Sequence, residues 1–490
     1  MPRVQFFLIL FCALLAAPSC AQEPADVSYP AAFDEPMPLY TEALGDFTRP
    51  ASTESDEARA YFDQGFQMMY AFAKEDAARS FRESWKRDPT CAICYWGEAW
   101  AWGPYLNGGM REAEAPRARA AAVRAAELAP DHASAIEREL IDAMLVRYAE
   151  PGDDRDQAVR DSAYADAMRG LYERHPDDLD VGTLYAEALF LLEPRRGDRD
   201  LDDPDVQRLH GVLEDVLEKD IRHVGACHLY IHATESTPRP DLAEPCAEYI
   251  GTSIPGASHI NHMPSHTWSE VGRWGDSVEA NLMAWHSDMK ADVGEGFAIY
   301  PSHNLHMLLF AASMDGQGAT AMQAGRDYSD ITDNTMYEVL TLVRFGRYDQ
   351  IERVEERSDH DVHGGMWDFS QGIARVRDGD IDEARQFLDR ILDEAGSSDA
   401  RFRFHSAEHL LGTVGALLEG EIHRAEGDLD TAITAFERAA AIEDELMYDE
   451  PEPLPFAARH WLGHALLEAD RPADAERVYL EDLDDHPRNG

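Results

Sequence analysis

The chain has 490 residues, 44% of them hydrophobic, and carries 94 acidic against 44 basic residues for a formal net charge of −50. That length accommodates two or three ordinary domains or one long repeat array, with enough apolar residues for a buried core. The charge excludes a nucleic-acid footprint, since a phosphate backbone would be repelled. Lysine is reduced to Lys74, Lys86, Lys219 and Lys290 while acids run along the whole chain, a composition of the salt-adapted, halophilic kind that keeps a surface hydrated.

Residues 1–21 read as a secretory signal peptide, with one Arg, an apolar run from Val4 to Ala17 and then small residues. The run is too short to span a bilayer, and no later segment is apolar for long enough. Cleavage after Ala21 satisfies the small–x–small rule through Ser19 and Ala21. The alternative is a lipobox-like Ala17-Pro18-Ser19-Cys20 with a lipid anchor on Cys20, although a Leu is expected where Ala17 stands. Either form is an exported protein, periplasmic or held at the outer membrane as a lipoprotein. Residues 22–55, rich in Pro, Ala, Asp and Glu, read as a flexible linker.

Beyond the leader the cysteines are Cys91, Cys94, Cys227 and Cys246. An oxidising compartment permits disulfides. The CxxC of Cys91 and Cys94 has no following His, which argues against covalent haem attachment. Two structural bridges, one within each pair, are favoured over a thiolate metal site.

From Glu57 onward apolar residues recur at three and four, with breaks at Gly or Pro, and no strand pattern competes. In the first unit Gly65, Ala77, Phe81 and Pro89 hold fixed offsets. The last unit repeats them as Leu462, Gly463, Ala475, Tyr479 and Pro487, and another carries Gly427, Ala432, Phe436 and Ala439. The small residues mark where two helices of a hairpin cross, the aromatic fills the groove to the next pair, and the proline stops the second helix. The spacing and residue types resemble the tetratricopeptide repeat of exported bacterial proteins. That resemblance implies an all-α fold: a right-handed superhelical solenoid of antiparallel helix pairs, a single array of roughly ten to eleven repeats over residues 57–490.

Histidines concentrate in CHLYIHATES, SHINHMPSH and YPSHNLH. His228 to His262 is 34 residues, as is His232 to His266, and 34 is the repeat period. Within each pair the step of four puts both rings on one helix face. His303 and His306 follow in the next unit, where Ser302 is placed to cap the helix. Imidazole pairs of this spacing present two ligands to one ion, and all-imidazole coordination suits Zn, Cu, Ni or Fe rather than Ca or Mg. His228, His232, His262, His266, His303 and His306 are therefore the candidate metal ligands. His405 and His409, also four apart, fall outside the register and read as structural.

In the family these register positions face the concave groove. The resemblance thus implies partner-binding roles for His259, Glu235, Phe62, Phe66, Trp96, Trp100, His460 and His464. The expected function is an exported scaffold that holds a protein or peptide partner in its groove and carries a transition-metal site (Zn, Cu or Fe). The alternative is a metal-dependent enzyme whose active site is the 228–306 cluster, with Glu235 or Glu270 as a base and the insertions at 103–116, 194–204 and 356–366 as lids. No HExxH, GxSxG or phosphate loop fixes a reaction. A third outcome is that a long array closes its own groove, which makes the inner face core.

Overall fold

The computed structural model describes residues 27–150, 152–194 and 197–489. The leader and Cys20 lie outside the described residues. These are all-α except for a small antiparallel hairpin that pairs Arg401–Phe402 with His405–Ser406. Each long helix packs on its neighbours in sequence, forming a solenoid of helix pairs. Among the described residues no helix is long and apolar enough to cross a membrane.

The first pair shows how local chemistry sets the unit. Helix Asp56–Tyr70 starts where the Ser55 side chain accepts from the Ala58 N–H, with Asp56 and Glu57 in the first turn. The chain reverses at Ala71, Phe72 and Ala73, where Phe72 takes a left-handed φ of 61°. Helix Lys74–Arg87 returns and ends on two basic residues. A Cβ on Gly65 would lie 2.9 Å from the Phe81 ring, so only glycine lets the pair cross this closely. Gly420 against Phe436 and Gly463 against Tyr479 repeat the contact.

The stack builds two apolar cores. One runs from Phe33 to Ile299 and the other from Trp274 to Val478. The array also curls onto itself. The Tyr70 ring lies 2.5 Å from where a Cβ on Gly225 would stand, the hydroxyls of Tyr105 and Tyr300 are 2.5 Å apart, and the Trp274 indole donates to the Pro487 carbonyl at 3.0 Å. Phe62, Phe66, Trp96 and Trp100, expected on an open groove, are at most 2% exposed. Trp100 donates to the buried Glu187 at 2.8 Å, and Phe66 packs on Tyr70 and Trp100. These rings pack against one another and against Phe81 and Tyr70, so the positions meet protein and offer no surface to a partner.

The segment read as a flexible linker is, from residue 27 onward, a packed strap. Phe33, Met37 and Ala43 are buried. Gln64 clamps its backbone at Tyr40 N–H (2.9 Å) and Pro38 C=O (2.9 Å). Gln67 does the same at Gly45 N–H (2.7 Å), Gly45 C=O (3.0 Å) and Phe47 C=O (2.8 Å). Composition suggested disorder because the satisfying groups belong to the helix beneath and not to the strap.

Arg49, 4% exposed, ties the strap to Asp178 at 3.0 Å and Asp180 at 2.7 Å. Burial pushes the Asp180 carboxyl up, but His223, Arg49 and Tyr70 outweigh it and hold it at about 2. A lowered folded value means stability that is present above the ordinary 3.8 and lost as pH falls through about 2. The shift is worth about 2 kcal/mol. In denaturant titrations Asp180→Asn is expected to lose about that much at neutral pH and to converge on wild type near pH 2.

The structure pairs Cys91 with Cys94 and Cys227 with Cys246. The second bridge fastens helix Val224–Thr234 to helix Glu244–Ile250, next to His228.

Candidate metal centre

Four helices deliver the histidines to the bore of the superhelix. Val224–Thr234 carries His228 and His232, Ser258–His262 carries His259 and His262, Pro264–Glu270 carries His266, and Pro301–Met314 carries His303 and His306. Pro264 opens its helix in the position where a missing N–H costs nothing. Pro301 does the same, and Tyr300, at a left-handed φ of 57°, is the residue before it. Ser302 is therefore inside the helix and is not its cap. Proline's fixed φ sets the start one residue earlier.

Six imidazoles fall into two sets of three: His228, His232 and His259, and His262, His266 and His303. In each set one nitrogen per ring lies within 4.8 Å of the others. The Nε2 atoms of His228 and His259 are 3.1 Å apart, those of His262 and His266 2.7 Å, and those of His262 and His303 3.1 Å. Two imidazoles bound 2.0–2.1 Å from one ion stand about 2.9–3.4 Å apart.

The tautomers follow from what the other ring nitrogens touch. His228 Nδ1 meets the Tyr70 carbonyl at 2.6 Å and must donate. His232 Nδ1 meets Glu235 Oε1 at 2.8 Å and must donate, while His266 Nδ1 lies 2.6 Å from Glu235 Oε2 in an ion-pair contact. His262 Nδ1 meets Asn281 Oδ1 at 2.9 Å, and the Asn281 amide group donates to the Ser277 carbonyl at 2.9 Å, which fixes Oδ1 towards the ring. In His228, His232 and His262 Nε2 is left with a lone pair. The Nε2 atoms of His262 and His266 face each other at 2.7 Å, close enough for both to bind one cation. His232 Nε2 is buried and has no hydrogen-bond partner. Carboxylate and carbonyl acceptors behind ligating imidazoles are the usual support of a metal site.

The electrostatics agree. Burial, with the neighbouring rings, pushes His228, His259 and His262 well below the ordinary imidazole value, and burial does the same to His303 and His306. These rings are neutral at pH 7, the ligating form. Burial alone would raise Glu235, but His232 and His266 hold it well below the carboxylate range.

Phe72, from the turn of the first helix pair, lies over the first set, 4.2 Å from His228 and 5.5 Å from His259 between ring centroids. A pocket of about 330 Å³ opens onto His232, His259, His266 and His303. Its far wall holds His306, Tyr328, Phe402 and Arg403, and Asn107 reaches it from the 103–116 insertion. A larger acid-lined cavity of about 560 Å³ touches His266 and Glu450 from the other side. There burial and Glu452 push Glu270 up to about 8.

His306, expected as a ligand, is not in either set. It lies three residues past His303, about 60° round the helix, where its ring packs 4.2 Å from Tyr337 and its Nδ1 is 3.4 Å from an Arg403 nitrogen. His259, expected only on the groove, belongs to the first set, and Glu235 supports both sets from behind. His460 pairs with Asp482 at 3.0 Å and His464 is exposed beside Glu468 at 3.4 Å, both away from the centre. His405 is held by Asp449 at 3.2 Å. The 194–204 insertion braces the site, as Arg199 donates to the His232 carbonyl at 2.9 Å. In the 356–366 insertion His363 packs edge-to-face against Phe402, with ring centroids 5.5 Å apart. Sequence reasoning missed Tyr70, Asn281 and Glu450, which lie outside the histidine register, and the 401–406 hairpin, which no repeat pattern marks.

No protein-family model matches the chain, and no curated protein matches it. Solved structures are similar to it at low identity and low TM-score. Yeast Tom70 is 10% identical over 88% of this chain and 92% of that one, with a TM-score of 0.32. The TPR domain of P58(IPK) is 12% identical over 87% and 99%, with a TM-score of 0.22. Human IFIT1, as a dimer with m7Gppp-AAAA, is 10% identical over 88% and 91%, with a TM-score of 0.30.

Proposed function

We propose that the chain is an exported metalloenzyme whose helical-repeat superhelix closes around a histidine-built transition-metal centre. The observation that carries this reading is the convergence of three Nε2 atoms, with His262 Nε2 at 2.7 Å from that of His266 and 3.1 Å from that of His303. A metal ion bound by His262 and His266 satisfies both. Three neutral imidazoles per set suit Zn, Cu, Ni or Fe. Three protein ligands with a pocket on the open side are the arrangement of catalytic metal sites, whereas structural sites are closed by a fourth. The ion would act on a small molecule in the 330 Å³ pocket as a Lewis acid or redox centre. The chain's own part is to fix the rings, keep them neutral and shield them from bulk water. Export is part of the same proposal, supported by the leader at 1–21 and by two cysteine pairs that suit an oxidising compartment.

Elemental analysis of protein purified without an affinity tag tests the metal. At least one equivalent of Zn, Cu, Ni or Fe per chain is expected, and its loss in the His262→Ala, His266→Ala double variant. Protein that stays metal-free after reconstitution contradicts the proposal. Azide added to cobalt-loaded protein then tests the open position: a changed visible spectrum supports a catalytic site, and an unchanged one supports a closed structural site.

A further inference from the structure

The geometry points to a dinuclear centre: two ions side by side, one on His228, His232 and His259 and the other on His262, His266 and His303, with a small exogenous anion between them. The inference rests on the metal reading above and goes beyond it in number, placement and ligand class.

Three observations carry it. First, there are two all-imidazole sets, each with three nitrogens within 4.8 Å, and a third group of His232, Glu235, His266 and Glu450 that spans them. One ion with three or four protein ligands uses one set and leaves the other's lone pairs buried and unmatched. His232 Nε2 is such an atom, and a buried unmatched acceptor destabilises the fold. Second, the sets adjoin. Ring centroids of His232 and His266 are 5.2 Å apart and those of His259 and His262 5.6 Å, so no helix or apolar layer separates them. Third, one carboxylate serves both: Glu235 Oε1 holds His232 of the first set and Oε2 holds His266 of the second. A single residue thereby fixes the orientation of a ligand in each set.

Charge supplies the third ligand's class. An imidazole binds metal in its neutral form, so two divalent ions bring about four positive charges into a site where Glu235 and Glu450 are the carboxylates grouped with His232 and His266. The remaining charge calls for a small anion. It reaches the ions from the 330 Å³ pocket, which borders His232 and His259 of one set and His266 and His303 of the other. Glu450, whose carboxylate lies 3.8 Å from His266 Nδ1, sits on the same rim.

The test counts ions on the full mature chain, stripped with chelator, reloaded with Co(II) and freed of excess metal. Two cobalt ions per chain are expected in wild type, one in His259→Ala and one in His303→Ala. Azide added to the two-ion protein is expected to bind once per chain and to shift the spectra of both ions. A single cobalt in wild type overturns the dinuclear assignment and leaves the metal centre standing. No cobalt in wild type overturns both. Two ions in wild type, with both unaffected by either variant, overturn the placement. Helicity by circular dichroism identifies a misfolded variant, and the wild-type count then decides alone.

Discussion

Glu235→Gln is expected to disable one imidazole set and weaken the whole centre, with apparent metal affinity down about 10–100-fold. The carboxylate offers an acceptor to each of His232 Nδ1 and His266 Nδ1, at 2.8 and 2.6 Å. An amide of the same shape offers one acceptor and one donor. The ring that meets the amide NH₂ must present a lone pair at Nδ1, so its proton moves to Nε2 and blocks the ligating atom. One set keeps three ligands and the other falls to two. Competitive titration against a chromophoric chelator reads both effects, as a reduced count and a raised dissociation constant. If Glu235 were only a packed carboxylate, Glu235→Gln would bind metal like wild type while losing stability.

Metal-loaded protein is expected to melt on the order of 10 °C above protein stripped of metal. Free metal at a thousand times the dissociation constant stabilises by about 4 kcal/mol, and for a cooperative unit of some 200 residues each kcal/mol moves the midpoint by about 2–4 °C. The effect is local in origin and broad in reach. The imidazoles come from helices 224–234, 258–262, 264–270 and 301–314, and His228 is held by Tyr70, 158 residues away. An ion therefore ties the middle of the array to its first helix pair. Loaded and stripped samples compared by calorimetry check this, and superimposable melting curves would count against it. His464→Ala, exposed and remote, should melt like wild type in both states.

The fold was legible because helical repeats write their packing into local residue types. Gly65 with Phe81 and Gly463 with Tyr479 are small and large partners at one crossing, and the spacing alone marks them. Register also singled out five of the six histidines that the structure gathers into the two sets, since the 34-residue step from His228 to His262 is one repeat. It failed where the third dimension decides. The family pattern assigns Phe62, Phe66, Trp96 and Trp100 to a groove, but the curl of this array buries them, and the curl is the sum of small angles that no single repeat encodes. His306 shares a helix with His303 but turns to Tyr337. Tyr70 contributes a backbone carbonyl, which leaves no residue-type signature at all. The strap over 27–55 looked disordered because its hydrogen-bonding partners, Gln64 and Gln67, are on another segment.

The most direct test is anomalous diffraction from crystals of the metal-loaded protein, recorded at and below the absorption edge of the bound metal. The account predicts an anomalous peak about 2.0–2.1 Å from the Nε2 atoms of His262, His266 and His303. A map without a peak among these imidazoles, or with its strongest peak in the acidic cavity beside Glu270 and Glu452, would contradict it.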